Sequence, residues 1–161
     1  MARAPKDHKT NALRELDAAG IPHEELFFDA EPTMTGEEIA RSQGEDPDAV
    51  FKTLVTESGA GEHFVCVIPV DCGLDLKKAA KHFGVKKMEM LPMKKLLPLT
   101  GYVHGGCSPV GMKKQFPTVI DEKASLFDEI YVSGGRIGLQ LCICPGDLAQ
   151  AAEADFADLT E

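Results

Sequence analysis

The sequence predicts an α+β fold, one domain over residues 1–161 with a twisted, mainly antiparallel or mixed sheet and helices around it. Three observations predict it. Stretches of helical periodicity stop at Gly20, Gly44 and Gly84, the residue type that best adopts the left-handed conformation closing a helix. Apolar runs of strand length occupy residues 50–56, 64–70 and 138–144. Helices and strands also mix without the strict βαβ alternation of a parallel sheet. A chain of 161 residues fits one domain and can bury roughly 70% of its unfolded surface. With 43% apolar and 27% charged residues it falls in the ordinary globular class and needs no disulfide framework.

Taken in order, a helix is expected over residues 9–19, closed by Gly20, and then a strand over 23–28. Thr35 and Glu38 have capping-box spacing and open a second helix toward Gly44. After Asp46-Pro47, strands at 50–56 and 64–70 flank the turn-rich residues 57–62 and can pair as a hairpin. Asp75 caps a helix over 76–83, a short strand lies near 87–90, and a short helix over 92–97 is broken at Pro98. Farther on come a strand at 118–120, a helical turn at 122–127, and strands at 129–133 and 138–144 around Gly134-Gly135, which marks a hairpin or a bulge. Pro145-Gly146-Asp147 leads into a final helix, and the residues beyond Ala154 read as an acidic tail.

Charge and cysteine usage narrow the function. The first 16 residues lack the apolar core of a signal peptide, and no window reaches the length of a membrane span, so a cytoplasmic protein is expected. Five cysteines make an odd count in a reducing compartment, which argues against structural bridges. Cys142 and Cys144 alternate about Ile143 and would share a strand face, so buried free thiols are expected. No paired C-x-x-C or His spacing occurs, and neither metal nor cofactor is expected. The net charge is −9, yet residues 77–114 carry nine lysines and one acid, leaving the rest at −17. Such segregation suits either a surface facing a phosphate backbone or a set of solvated helix lysines.

The densest functional signal is residues 101–121, GYVHGGCSPVGMKKQFPTVID. Its glycines permit conformations and close approaches that a Cβ forbids, and Pro109 and Pro117 stiffen the chain. A loop so constrained either walls a ligand site or is a tight structural turn. Lys52 lies in an apolar run, read as facing away from both Phe51 and Leu54; a lone lysine there is commonly a snorkelling surface residue. Cys107 with His104 three residues away could form a nucleophile and base, a pairing that sequence proximity seldom delivers.

Four blocks then carry a resemblance: VFKTLV at 50–55, DLKKAAKHFGVKK at 75–87, TGYVHGGCSPVGMKKQFPTVID at 100–121 and YVSGGRIGLQL at 131–141. Over residues 11–157 the chain resembles the YbaK family of free-standing Cys-tRNA deacylases, relatives of the editing domain inserted in bacterial prolyl-tRNA synthetases. The resemblance implies a mixed sheet or partial barrel, and removal of cysteine from tRNA(Pro) and in some contexts from tRNA(Cys). It implies the acceptor end of an aminoacyl-tRNA as partner, with a prolyl- or cysteinyl-tRNA synthetase beside it. It also implies Lys52 as the essential residue, with Thr53, Phe28, Gly105, Gly106, Ser133 and Gly134 binding substrate. Two positions depart from the family pattern: Phe28 stands where a tyrosine is common, and Gln140 where an acid is common; His104 is not expected either. The resemblance further implies a substrate-assisted route, in which the cysteinyl thiol attacks its own ester carbonyl and a thiolactone leaves. Given the departures, deacylation of another mischarged tRNA such as Ala-tRNA(Pro), or a non-catalytic aminoacyl-tRNA-binding or regulatory module, stands as the alternative.

Overall fold

Helix ends follow the capping chemistry written in the sequence. The structure, a computed structural model, describes residues 9–29 and 34–161; of the 16 N-terminal residues considered for a signal peptide, 1–8 lie outside the described residues. In α1 (Asn11–Ala19) the Thr10 hydroxyl accepts from the Leu13 amide at 3.2 Å, and Gly20 closes the helix in the left-handed conformation. Ala12, Leu13 and Leu16 form its buried stripe. In α2 (Gly36–Gln43) the capping box is complete: the Thr35 hydroxyl accepts from Glu38 N at 3.1 Å while Glu38 Oε1 accepts from Thr35 N at 3.2 Å. Such a cap is worth about 1 kcal/mol. Asp75 does the same for α3 (Leu76–Phe83), accepting from the amides of Lys77 and Lys78.

The strands form two sheets. One runs in the order β4 (Met88–Met90), β2 (Phe51–Ser58), β3 (His63–Pro69), β5 (Thr118–Asp121), β8 (Ala154–Ala157). In it β4/β2/β3 pair antiparallel, and β3/β5 and β5/β8 parallel. The other is antiparallel, in the order β1 (Glu24–Phe27), β7 (Leu139–Ile143), β6 (Ile130–Arg136). A parallel bridge from Val50 to Tyr131 joins them, so the observed class is the α+β, mixed, mainly antiparallel one expected. Central strand β3 is buried on both faces, as its unbroken apolar run requires. Val65 and Val67 pack with Leu13, Ile120 and Leu141 in one cluster; Phe64, Cys66 and Ile68 pack with Ala79, Ala80 and Leu159 in the other.

One consequence of this topology builds the site. On the side away from β3, Val50, just before β2, bridges Tyr131 of β6, and β2 pairs with β4 only from Thr56 onward. Among the described residues, no strand pairs with that edge of β2 over 51–54; at Val55 the Leu91 amide, just past β4, donates to the carbonyl at 3.0 Å. A gap opens there, between the two sheets.

Four expectations need correction. The acidic tail is not a tail: Ala154–Ala157 forms β8, Leu159 is fully buried, and the buried Asp121 carboxylate accepts from Leu159 N at 2.9 Å and Lys123 N at 3.0 Å. Pro98 does not break its helix. It falls at the third position of α4 (Leu96–Thr100), within the first turn, where the missing N–H has no intrahelical acceptor to lose. Cys144 does not share the buried face of Cys142, because β7 ends at Ile143 and Cys144 becomes the exposed N-cap of α5 (Pro145–Ala152). Nor does Lys52 face away from Leu54. With a strand period of two, both lie on the α3 side, opposite Ile68 and Cys66, while Phe51 and Val55 enter the other cluster. At Gly134-Gly135 the bulge is what forms: β6 continues to Arg136, and the register with β7 shifts between Ser133 and Arg136.

Candidate functional site

A cavity of about 230 Å³ fills the gap beside β2. It is smaller than the roughly 300 Å³ at which pockets for drug-sized ligands begin, so it admits one small group. Lys52 and Thr53 of β2 form one side, Ser133 of β6 and Leu139 and Gln140 of β7 a second, and His104, Gly105 and Cys107 a third. Met34, Thr35, Gly36 and Ile39, at the start of α2, cover it, with Phe28 at the end of β1. Five of the residues expected from the sequence therefore meet here: Lys52, Thr53, Phe28, Gly105 and Ser133. Gly106 and Gly134 stand behind the wall.

The glycine-rich loop is rigid by construction. Gly101 closes α4 in the left-handed conformation, and the Thr100 hydroxyl donates to Leu96 O at 2.8 Å while accepting from Tyr102 N at 3.0 Å. The buried Tyr102 hydroxyl donates to Val110 O at 2.7 Å, pinning the loop across itself. Gly105 has φ +85°, and a Cβ built on Gly106 would lie 2.7 Å from Arg136 Cα and 2.8 Å from Ile137 N. Only glycine permits that approach, which presses the loop onto the β6 bulge and sets Gly105 at the cavity. The bulge is held in turn: Thr10 Oγ1 donates to Gly134 O at 2.5 Å, and Ser133 Oγ accepts from Gly135 N at 3.2 Å.

The polar groups in the cavity are unevenly satisfied. The half-buried Lys52 ammonium donates to Val70 O at a long 3.4 Å, and among the described residues it has no carboxylate partner. Thr53 Oγ1 and Gln140 Oε1 are buried without a hydrogen-bond partner among the described residues. An unsatisfied buried oxygen costs about 1–3 kcal/mol, so both atoms favour a polar ligand or water. Gln140 Nε2 donates to Glu45 Oε1 at 3.1 Å; burial raises the Glu45 carboxyl pKa, and that hydrogen bond partly lowers it. Burial pushes the Cys107 thiol up to about 12, with only the Thr100 hydrogen bond opposing. A thiol so poised is no nucleophile near neutrality, and its side-chain partner is Thr100 rather than His104. Among the described residues, no three His, Cys, Asp or Glu side chains cluster as metal ligands.

The basic segment is partly structural. Lys78 is tied to Asp158 at 2.8 Å and to Thr160 O at 2.7 Å, holding the C-terminus on α3. Lys94, Lys95, Lys113 and Lys114 are exposed. Lys95 precedes the cavity residue Leu96, and Lys113 Nζ donates to Pro98 O at 3.4 Å, so the loop and α4 bring these cations together. A shallower depression of about 520 Å³ adjoins them, lined by Leu91, Pro98 and Leu99 with Glu57, His63, Lys94 and Lys95. It holds no converging buried polar groups.

Sequence reasoning did not anticipate the cover. The capping box at Thr35 is legible, but that α2 folds over β2, with Gly36 against Val70, has no local signal. In the sequence Gln140 stands out only as a departure from the family pattern, yet the buried residue lines the cavity.

An α+β frame of this topology, with a small pocket between a lysine-bearing strand and a glycine-rich loop, defines a class. Residues 30–151 match the model of the aminoacyl-tRNA editing domain, and the chain belongs to that family. It is 42% identical, over 99% of its length and 98% of the relative's, to an Enterococcus faecalis (strain ATCC 700802 / V583) protein named "Putative Cys-tRNA(Pro)/Cys-tRNA(Cys) deacylase EbsC". Among solved structures it is similar to one titled as a putative trans-editing enzyme for prolyl tRNA synthetase, with TM-score 0.81 and 26% identity over 99% of each chain. It is also similar to the hypothetical protein APE2540, with TM-score 0.86 and 28% identity over 94% of this chain and 99% of that one.

Proposed function

We propose that this protein is a trans-editing deacylase that removes cysteine from mischarged Cys-tRNA(Pro), and from Cys-tRNA(Cys) as a second substrate. The observation that carries the reading is Lys52, an ammonium with no carboxylate partner among the described residues, beside a cavity that admits one small aminoacyl group. Full-length similarity to a relative named for that activity supports it.

In this reading the Lys52 ammonium faces the ester carbonyl and stabilises the negative charge that develops on its oxygen. The substrate's own thiol is the nucleophile. Its sulfur bonds to the carbonyl carbon, the bond from that carbon to the ribose oxygen breaks, and the thiol proton ends on the ribose hydroxyl. The products are free tRNA and a cysteine thiolactone, which water opens to cysteine. The protein contributes position and charge, and Cys107, with its thiol pushed up to about 12, takes no covalent part. Phe28 offers a ring without a hydroxyl to the amino-acid side. Exposed Lys94, Lys95, Lys113 and Lys114 meet acceptor-stem phosphates, each such contact adding about 0.9 to the slope of log affinity against log salt. The protein acts in the cytoplasm beside a prolyl- or cysteinyl-tRNA synthetase. Among the described residues, no helix is long and apolar enough to cross a membrane.

The test is release of labelled amino acid from a panel of Cys-tRNA(Pro), Cys-tRNA(Cys), Ala-tRNA(Pro) and Pro-tRNA(Pro). Rapid release from the two cysteinyl substrates alone is expected. Equal release from Ala-tRNA(Pro) would remove the thiol-assisted route, and binding without release would make the protein a regulatory module.

A further inference from the structure

The polar pair Glu45–Gln140 joins two residues 95 positions apart at the cavity. Gln140 is only 5% exposed. Its Nε2 donates to Glu45 Oε1 at 3.1 Å, while its Oε1 has no donor among the described residues. A primary amide can turn over, exchanging its oxygen and nitrogen, but a carboxylate only accepts. The turned amide would set oxygen against oxygen at Glu45, so the carboxylate selects the orientation that leaves the carbonyl oxygen unpaired, on a residue that lines the cavity. Glu45 is itself held. It follows the left-handed Gly44 at the end of α2, and its amide donates to Ala40 O at 2.9 Å, the closing bond of that helix end. The same short helix thus covers the cavity with its first turn and supports the Gln140 amide from just beyond its last.

We propose that Glu45 is a positioning residue that turns the Gln140 carbonyl oxygen toward the α-ammonium of the bound aminoacyl group. This inference rests on the aminoacyl-tRNA reading above and deepens it by assigning the subsite for the amino group. An ammonium suits the place for two reasons. It offers three donors, and two residues that line the cavity, Gln140 and Thr53, each carry a buried oxygen, Oε1 and Oγ1, with no hydrogen-bond partner among the described residues. It is also a cation, and the Glu45 carboxylate one hydrogen bond behind polarises the amide so that its oxygen carries more negative charge.

A donor could also come from the terminal ribose, so the test separates the two. The probe is a non-hydrolysable adenosine carrying cysteine through a 3′-amide, compared with its mercaptopropionyl analogue, which lacks only the amine, and with its 2′-deoxy form. Binding is measured by calorimetry for wild type, Glu45→Gln and Glu45→Ala, with melting midpoints recorded. Wild type is expected to favour the amine-bearing probe over the mercaptopropionyl one by about tenfold, the worth of one charge-assisted hydrogen bond. Both variants should bring that ratio toward one. The effect of the 2′-deoxy change should be the same in all three proteins. Glu45→Gln keeps the shape of the side chain, so it decides the matter if Glu45→Ala fails to fold. The proposal is overturned if wild type does not bind the amine-bearing probe, or shows no preference for it. It is equally overturned if both folded variants keep the preference, or if the variants change the 2′-deoxy effect instead. Release of cysteine from Cys-tRNA by the wild type, measured alongside, tests the parent reading separately.

Discussion

Replacing Gly106 with alanine probes how the loop is built. The added methyl would sit 2.7 Å from Arg136 Cα and 2.8 Å from both Arg136 C and Ile137 N. All three are backbone atoms, so no side chain can swing aside, and either the loop or the β6 bulge must move. Overpacking of this kind costs about 1–3 kcal/mol. For a chain of this size that corresponds to a fall in melting temperature of about 2–12 °C. The neighbouring Gly105 lines the cavity, so kcat/KM for deacylation should also fall, measured well below the new midpoint. Gly146→Ala is the control: it lies in α5, and a Cβ there meets nothing within 4 Å. Alanine favours helix, so that variant should melt at or slightly above the wild type. A Gly106→Ala protein that melts and turns over like the wild type would refute the account of the loop.

Two further outcomes follow from packing and burial. Leu159→Ala should destabilise the fold by about 2–5 kcal/mol in urea unfolding, because Leu159 is fully buried against α3 and β3; a change near zero would contradict the C-terminal strand. Under iodoacetamide at pH 8, the exposed Cys144 and half-buried Cys72 should label well before Cys66 and Cys107, as mapped by peptide mass analysis. Burial pushes the latter two up to about 12. A raised thiol pKa leaves less thiolate at a given pH, here roughly one part in ten thousand. Early labelling of Cys107 would reopen it as a nucleophile.

Much of the frame was legible because it is local. Thr35 with Glu38, Asp75, and the glycines at helix ends are short-range capping signals, and each formed the cap expected. The β2/β3 hairpin was legible from two apolar runs around a polar turn. Pairings between distant segments were not. Strand β8 pairs with β5, 36 residues away at Thr118–Ala154, and its short run, with Asp155 and Phe156 both exposed, resembles a solvated tail because an edge strand is paired on one side only. The cavity shows the same division. Lys52, Gly105 and Ser133 sit in recognisable motifs, whereas the α2 cover and the support of Gln140 by Glu45 arise from chain crossings that no motif records.

The central claim concerns Lys52, and Lys52→Ala tests it most directly. Among the described residues its ammonium makes one long hydrogen bond of 3.4 Å, so the loss in stability should stay within about 1 kcal/mol. The measurement is cysteine release from Cys-tRNA(Pro) by wild type and variant at equal folded concentration. The account predicts that the variant melts close to the wild type and releases no cysteine above the uncatalysed background; release at the wild-type rate would contradict it.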